Sequence, residues 1–370
     1  MNIYNITDKY KKINKQGVKM KRSMIYIAMF LCLFFVFPAL LTDTNTNDNQ
    51  NSISYENEIV EKDSGNIENK DKEKEEKEIF EEEYVGKYST IKLLNHKTGI
   101  VEDVKLEEYL VNVVSAEMPV DFEVEALKAQ SLVARTYTIY KMQNKKHDNA
   151  DICTNYACCQ AWISKEDRLA KWEENIRESN WNRIKLAVKE TAGKIVTYNG
   201  KPINAFFHSN SGGITEVPVN VWGGTGYPYL QVVQTAGEDL YSQYSSEAIF
   251  TYDELLNKLK CRYSDIVIDF NNLDDIKILE YTDGNRVKTI KFGNHELSGV
   301  ETRTLLALRS ADFDITRNGE QIIFSVIGYG HGVGMSQTGA DSLAKQGLNY
   351  EQIINHYYKD IKIEEISNIN

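Results

Sequence analysis

The sequence predicts an α+β fold: a two-lobed domain with a central groove, preceded by one transmembrane helix. Apolar residues recur at the three- and four-residue spacing of amphipathic helices up to about residue 190. Short alternating apolar runs, bounded by glycine-rich turns, dominate after Gly193. A run of helices followed by a run of strands is typical of α+β domains, and 370 residues suffice for one large or two modest globular units.

The N-terminal segment has the pattern of a membrane anchor. Residues 1–22 hold seven basic residues and one acidic residue, a net charge of +6, and residues 24–41 are eighteen residues without a charge. That length is about the minimum that crosses a bilayer. We therefore expect a cytoplasmic basic tail at 1–22 and a transmembrane anchor at 23–42, with the chain from Thr42 onward outside the cell membrane. A cleaved signal peptide is the alternative, although no small-residue cleavage site follows Leu41.

An acidic segment separates this anchor from the rest of the chain. Residues 43–83 hold fifteen acidic and five basic residues, a net charge of -10, and few apolar residues. Such a composition is typical of a disordered, extended tether. The pattern of a folded domain begins at Tyr84, and we expect that domain to span residues 84–366. Because the chain after the tether carries a net charge of -7 and no basic stripe, nucleic acid is not expected as a partner.

Within residues 84–366 the apolar pattern defines the order of the elements. Helices are predicted at residues 106–117, 123–145, 165–190 and 252–260, with a final helical stretch at 335–358. Strands are predicted at residues 90–94, 194–198, 204–208 and 229–234, and a strand-rich section continues to residue 325. Residues 95–99 supply the turn after the first strand, and Pro119 ends the first helix.

Glu117 is the residue that this pattern favours as a general acid. It continues the apolar stripe of the helix at 106–117, so its carboxyl points toward the apolar side of that helix. Burial and the negative end of the helix dipole both raise the pKa of a carboxyl in that position. A carboxylic acid that stays protonated near neutral pH can protonate a glycosidic oxygen. The alternative is that Glu117 caps the helix or pairs with Lys128 or Arg135.

One histidine and three cysteines lie close together in the sequence. His147, Cys153 and Cys159 stand at even spacings of six, and Cys158 competes for the last position. Thiolate and imidazole ligands suit zinc, so this segment is predicted to hold a zinc ion. Because the spacings are looser than in a zinc finger, a local disulfide or free thiols are the alternatives.

Five segments of the chain carry a resemblance to a known family. They are residues 108–119 (EYLVNVVSAEMP), 125–137 (EALKAQSLVARTY), 207–213 (FHSNSGG), 302–313 (TRTLLALRSADF) and 328–337 (GYGHGVGMSQ). In this order they resemble the stage II sporulation protein D family of lytic transglycosylases, over about residues 84–360. One departure is Thr338, which stands where the family commonly has tyrosine.

The resemblance implies that residues 84–366 are a catalytic domain and that Glu117 is its catalytic acid. Such an enzyme cleaves between N-acetylmuramic acid and N-acetylglucosamine in denuded strands, those whose stem peptides have been removed. The C6 hydroxyl of the muramic acid attacks in place of water and leaves a 1,6-anhydro end. One carboxyl can then act first as acid and afterwards as base, whereas ordinary glycosidases use two.

The resemblance also implies a groove that binds the glycan strand. The residues expected to contact the strand are Lys128, Ser131, Arg135, His208, Ser209, Ser211, His331 and Gln337. From the residue pattern alone, Lys128 and Arg135 are equally compatible with a surface stripe. Some members of the family have a His/Cys/Cys zinc site that ends in Cys-Gln, which favours Cys159 over Cys158. Because transglycosylation needs no activated water, an organising role is expected for the ion, and a part at the cleft is the alternative.

By the same resemblance, the protein acts during engulfment in a sporulating bacterium, on the outer side of the mother-cell engulfing membrane. A sporulation amidase, which removes the stem peptides, and a membrane scaffold protein are the implied partners. Two rival functions stay open: a non-catalytic glycan-binding or amidase-enhancer module, and a zinc hydrolase that acts on the stem peptide.

Overall fold

The α+β prediction is confirmed by the computed structural model, which describes residues 86–369. The predicted basic tail (1–22), transmembrane anchor (23–42) and acidic tether (43–83) lie outside the described residues. Between residues 86 and 369, no helix combines the length and the apolar character that crossing a bilayer requires.

The longest helices lie in the first half of the described chain. The helices are α1 (Leu106–Glu117), α2 (Val124–Gln143), α3 (Lys165–Leu169), α4 (Arg177–Lys189), α5 (Pro218–Trp222), α6 (Tyr252–Lys260), α7 (Gly299–Leu306), α8 (Gln337–Lys345) and α9 (Tyr350–Tyr357). The predicted bounds of α1 and α6 agree with the structure, and those of α2 agree within two residues.

The strands are short and form small, mostly antiparallel sheets. They are β1 (Thr90–Leu94), β2 (Val101–Lys105), β3 (Ile152–Cys153), β4 (Lys194–Tyr198), β5 (Lys201–Pro202), β6 (Phe207–His208), β7 (Ser245–Thr251), β8 (Ile276–Tyr281), β9 (Val287–Phe292), β10 (His295–Ser298), β11 (Asp312–Asn318), β12 (Gln321–Ile327), β13 (Met335–Ser336) and β14 (Lys362–Glu365). The sheet orders are β2-β1-β3, β10-β9-β8, β11-β12-β7, β13-β6 and β14-β4-β5. The pair β6 and β13 is parallel and brings two distant glycine-rich segments side by side.

Helix α2 lies at the centre of the first hydrophobic core. Its residues from Ala126 to Ile139 are buried except Lys128, and α1, α4, α8 and α9 all contact it. The small side chains of Ala126, Ala129 and Ala134 let these neighbours approach closely while the helix keeps its strong intrinsic propensity. Helix α1 therefore ends, at Glu117, beside the N-terminus of α8.

A second hydrophobic core is built later in the chain. It is formed by the sheet of β7, β11 and β12, the sheet of β8, β9 and β10, and the helices α6 and α7. Its largest buried side chains are Phe292, Phe313 and Phe324. Alternate residues of β12 are buried, the period-two pattern that predicted strands in this section.

Four predicted elements differ from the structure. The single helix expected at 165–190 is broken into α3 and α4, because Trp172 turns into the first core and its carbonyl accepts a hydrogen bond from Arg177 Nε. The final helix is broken at Gly347, which has a positive φ, and Asn349 then caps α9. The strand predicted at 204–208 shortens to β6, and that at 229–234 forms only isolated bridges.

Candidate functional site

Glu117 is the last residue of α1, and the sequence around it fixes its position. Met118 is extended, as expected of a residue before proline, so the helix stops there. The carboxyl is half-buried and accepts hydrogen bonds at both oxygens. The Ala161 N–H donates to Oε1 at 2.6 Å, and Gln337 Nε2 donates to Oε2 at 3.3 Å. Burial raises the pKa of Glu117, and the two hydrogen bonds oppose that rise without cancelling it.

Gln337 holds this carboxyl from the other side of the site. It is the first residue of α8, whose N-cap is Ser336, and only 6% of its surface is exposed. Its Nε2 also lies 3.5 Å from Gln130 Oε1 on α2. Gln337 therefore lies beside Glu117 in the structure, although 220 residues of sequence separate the two.

Two cavities adjoin Glu117. The smaller has a volume of about 460 Å³ and the larger about 770 Å³, both within the range of ligand sites. Glu117, Ser209 and Gln337 line both of them. No partner within residues 86–369 hydrogen-bonds the Ser209 hydroxyl, so this group is free to bind a ligand. The two cavities and their shared wall make up the candidate site.

Aromatic rings form one wall of the larger cavity. The Trp222 ring lies 4.6 Å from that of Phe206 and 5.0 Å from that of His331, centroid to centroid. Half of the Trp222 surface is exposed, and Tyr329 on the same wall is 43% exposed. Exposed indole and phenol rings are suited to stack on sugar rings. Sequence patterns did not assign this role, because aromatic residues are equally ordinary in a hydrophobic core.

The two histidines of the larger cavity are uncharged at neutral pH. Burial, and next the positive charge of Arg303, lowers the pKa of His331 to about 3. Burial likewise lowers the pKa of His208 well below its usual value. His331 Nδ1 accepts from the Val333 N–H, whereas His208 Nε2 is buried without a partner among the described residues.

Four predicted substrate contacts lie elsewhere in the structure. Arg135 and Ser131 have no exposed surface: Arg135 pairs with Glu107, and the Ser131 hydroxyl donates to the Leu127 carbonyl. Lys128 pairs with two glutamates. Ser211 is also fully buried. None of these side chains lines either cavity beside Glu117, because each already has its partners inside the fold.

A buried carboxylate that the sequence did not single out aligns the two glycine-rich segments. Glu238 accepts hydrogen bonds from the Ser211 and Gly213 N–H groups at 3.1 and 2.7 Å, and from Thr338 Oγ1 at 3.1 Å. It also accepts bonds from the hydroxyls of Ser211 and Ser336. Glu238 therefore ties the segment of β6 to the N-terminus of α8, which carries Gln337.

His147, Cys153, Cys158 and Cys159 form one cluster in the structure. Their donor atoms all lie within 4.8 Å of one another. The Sγ atoms of Cys153 and Cys159 are 3.5 Å apart and those of Cys158 and Cys159 are 3.9 Å apart, while His147 Nε2 lies 3.7 and 3.6 Å from the last two. Around a tetrahedral zinc with bonds of about 2.3 Å to sulfur, such separations are roughly 3.8 Å. The cluster can therefore hold a metal ion, and it includes both vicinal cysteines, which the sequence had left as alternatives.

The cysteine segment leads directly to Glu117. Cys158 and Cys159 line the larger cavity, and the next residue, Gln160, donates hydrogen bonds to Tyr109 on α1 and Thr138 on α2. Ala161 follows and supplies its N–H to the carboxyl. An ion that orders this segment would also fix the position of the Ala161 N–H, the donor that helps to orient the Glu117 carboxyl.

The chain is similar to several known proteins. Residues 94–198 match the family model described as Stage II sporulation protein. The stage II sporulation protein D of Bacillus amyloliquefaciens is 36% identical over 269 residues, which cover 72% of this chain and 76% of that protein. Its counterpart in Bacillus subtilis (strain 168) is 37% identical over 268 residues, with the same two coverages. The amidase enhancer of Bacillus subtilis is 28% identical and matches 67% of this chain but only 39% of its own length.

Proposed function

Because this chain belongs to the stage II sporulation protein D family, we propose that it is a peptidoglycan lytic transglycosylase. The substrate is a denuded glycan strand, and the bond cleaved joins N-acetylmuramic acid to N-acetylglucosamine. The proposal depends on Glu117, a half-buried carboxyl of raised pKa at the junction of two cavities. This geometry supplies a proton donor where a strand that crosses both cavities would pass.

In the proposed reaction Glu117 serves in both steps. The protonated carboxyl gives its proton to the glycosidic oxygen as the bond from that oxygen to C1 breaks. The resulting carboxylate then takes the proton of the muramic acid C6 hydroxyl, whose oxygen forms the new bond to C1. The Ala161 N–H and the Gln337 amide stabilise the carboxylate between the steps, because both donate to it.

We propose that the two cavities together form the central groove for the strand. Trp222 and Tyr329 supply stacking surfaces in the larger cavity, and the Ser209 hydroxyl bonds sugar on the wall that both cavities share. Of the eight substrate contacts that the resemblance implied, His208, Ser209, His331 and Gln337 remain part of this proposal.

The histidine and cysteine cluster is proposed to hold zinc. Three thiolates and one imidazole are a usual donor set for a structural zinc ion, and four protein ligands leave no open position. Zinc bound there would lock the segment from Cys153 to Ala161 in place. The residues of the chain, chiefly Ala161 and Glu117, then carry the chemistry, because an intramolecular attack needs no activated water.

Two of the relatives described above are named for sporulation, and we propose a role in engulfment for this chain. Residues 23–42 would anchor it in the engulfing membrane, with residues 84–366 on the outer side. A sporulation amidase and a membrane scaffold protein are the proposed partners. The similarity to an amidase enhancer favours a second candidate function, a module that binds glycan without cleaving it.

Analysis of the products from denuded strands tests the proposal. The purified full-length chain is compared with Glu117→Gln and with Glu123→Gln, a matched exchange of an exposed glutamate at the N-cap of α2. Mass spectrometry should find 1,6-anhydro ends, lighter than hydrolysis products by one water, with the wild type and Glu123→Gln but not with Glu117→Gln. Reducing ends would indicate a hydrolase, and binding without cleavage would favour the module.

A further inference from the structure

We propose that Arg303 and Arg168 form two anion-binding subsites, one in each cavity beside Glu117. Their ligands are the lactyl carboxylates that N-acetylmuramic acid residues expose once the stem peptides are gone. This inference depends on the proposed function, since it explains how that site distinguishes a denuded strand from other glycans.

Arg303 places a guanidinium in the larger cavity and has no counter-ion among the described residues. It lies on α7, is only partly exposed, and lines the cavity together with Glu117, Trp222 and His331. Among residues 86–369, neither an ion pair nor a hydrogen bond involves its guanidinium. Burial lowers the pKa of this guanidinium, so its charge has lost part of its hydration without an anion in exchange. A carboxylate ligand would restore that interaction.

Arg168 likewise lines the smaller cavity with a guanidinium that lacks a hydrogen-bond partner among the described residues. Its Nε is buried and has no hydrogen-bond partner among the described residues. The guanidinium lies 4.7 Å from the ring centroid of Trp172, which lines the same cavity. Stacking on an indole fixes the plane of a guanidinium and leaves its edge free to bind a carboxylate through two parallel hydrogen bonds.

The two fully buried arginines among the described residues, Arg135 and Arg286, both have hydrogen-bond partners. Arg135 makes two hydrogen bonds to the Glu107 carboxylate. Arg286 donates to the backbone carbonyls of Ile214, Gly284 and Ser211. Among the buried and half-buried arginines between residues 86 and 369, only the two that line the cavities lack a hydrogen bond or ion pair to the guanidinium, and this indicates a ligand instead of an incomplete core.

The chemistry of the strand supplies an anion on both sides of the cleaved bond. In a denuded strand every second sugar is an N-acetylmuramic acid with a free lactyl carboxylate. In a strand that keeps its peptides, the same carboxyl is an uncharged amide, and chitin lacks the lactyl group altogether. Muramic acid residues lie on both sides of the bond that is cleaved at Glu117. One carboxylate can therefore enter each cavity and bind one arginine.

Binding measurements test the inference. All of them use the Glu117→Gln variant as the parent protein, because this exchange blocks turnover. Isothermal titration calorimetry is performed with three probes of equal length: denuded strand fragments, chitooligosaccharide, and fragments whose lactyl carboxyls have been converted to amides. The added variants are Arg303→Gln, Arg303→Lys and Arg168→Gln. Arg262→Gln, which removes an exposed arginine from outside the two cavities, is the control for charge.

Arg303→Gln and Arg168→Gln should each weaken binding of the denuded fragment by at least about tenfold, the expected loss for a charge-assisted hydrogen bond. Affinity for the other two probes should not change, and Arg262→Gln should bind all three like the parent. Arg303→Lys, which retains charge but not the two parallel donors, should fall between parent and Arg303→Gln. This variant also keeps the test valid if Arg303→Gln fails to fold.

Three outcomes would each overturn one of these claims. If the wild type yields 1,6-anhydro ends but both arginine variants bind the denuded fragment as tightly as the parent, the carboxylate subsites are wrong and the transglycosylase stands. If the parent prefers the denuded fragment through the arginines but the wild type leaves no anhydro ends, the subsites stand and the proposed reaction fails. An equal loss of affinity for all three probes would mean that the arginines maintain the fold of the cavities instead of binding carboxylates.

Discussion

Replacing Arg135 by methionine should destabilise the folded domain by about 3–5 kcal/mol, the usual cost of removing one member of a buried ion pair. Arg135 has no exposed surface, and Glu107, its partner, is only 5% exposed. The guanidinium donates to both Glu107 oxygens, at 2.8 and 2.6 Å, and to Thr191 and the Val188 carbonyl, each at 3.1 Å. Methionine fills similar space but leaves the Glu107 carboxylate buried without a partner.

The structure also predicts the stability changes of two comparison variants. Lys128→Met should cost no more than about 1 kcal/mol, because its pairs with Glu125 and Glu190 are partly exposed and screened by solvent. Adding Glu107→Leu to Arg135→Met should restore much of the lost stability, since apolar residues of similar volume often replace a buried ion pair without loss.

Urea denaturation followed by tryptophan fluorescence measures these differences as shifts of the midpoint. Binding of denuded glycan is measured in parallel, under conditions in which each variant is folded. If Arg135→Met kept the wild-type midpoint but lost glycan affinity, Arg135 would contact substrate, as the family resemblance implied, and the structural role assigned to it here would be refuted.

Three further variants probe the Glu117 carboxyl, the histidine and cysteine cluster, and Asp121, an acidic residue that also lines the smaller cavity. Glu117→Gln should unfold at a higher temperature than the wild type at pH 7.5. Because burial raises the pKa of Glu117, the wild type loses stability as pH rises past the ordinary glutamate range. Calorimetry at pH 4.5 should therefore show a smaller difference between the two unfolding temperatures. Cys158→Ala should release zinc to a chromogenic chelator at a lower chelator concentration than the wild type, whereas Cys261→Ala, outside the cluster, should not. Asp121→Asn should keep most of the rate of anhydro-end formation, because one carboxyl suffices for an intramolecular attack; a loss of a hundredfold or more, measured by chromatography of the products, would make Asp121 a second catalytic carboxyl and favour a hydrolase.

Local patterns were sufficient to predict several parts of this protein. The period of apolar residues and a proline predicted α1 and its end at Glu117, and the same reasoning predicted the raised pKa of that carboxyl. The spacing of histidine and cysteines predicted a cluster of side chains that could hold a metal ion. These inferences succeed because helix amphipathicity, proline geometry and ligand spacing all act over fewer than about twenty residues.

Other features were decided by contacts between residues far apart in the chain. Nothing near Arg135 in the sequence indicates that Glu107 is its partner, and nothing near Glu117 indicates that Gln337 donates to it. The sequence left Cys158 and Cys159 as alternatives, but the fold of their loop gathers both with Cys153 and His147.

The sequence by itself determined the α+β class, the helix that ends at Glu117 and the closeness of His147 to the three cysteines along the chain. Only the tertiary structure decided which polar groups are paired inside the fold and which are left free beside Glu117. An arginine has the same chemistry at 135, 168 and 303, and only the packing of distant elements gives the first a buried carboxylate and the other two a cavity. That difference exists because hydrogen bonding and burial depend on position in space, whereas a sequence pattern reports only neighbours along the chain.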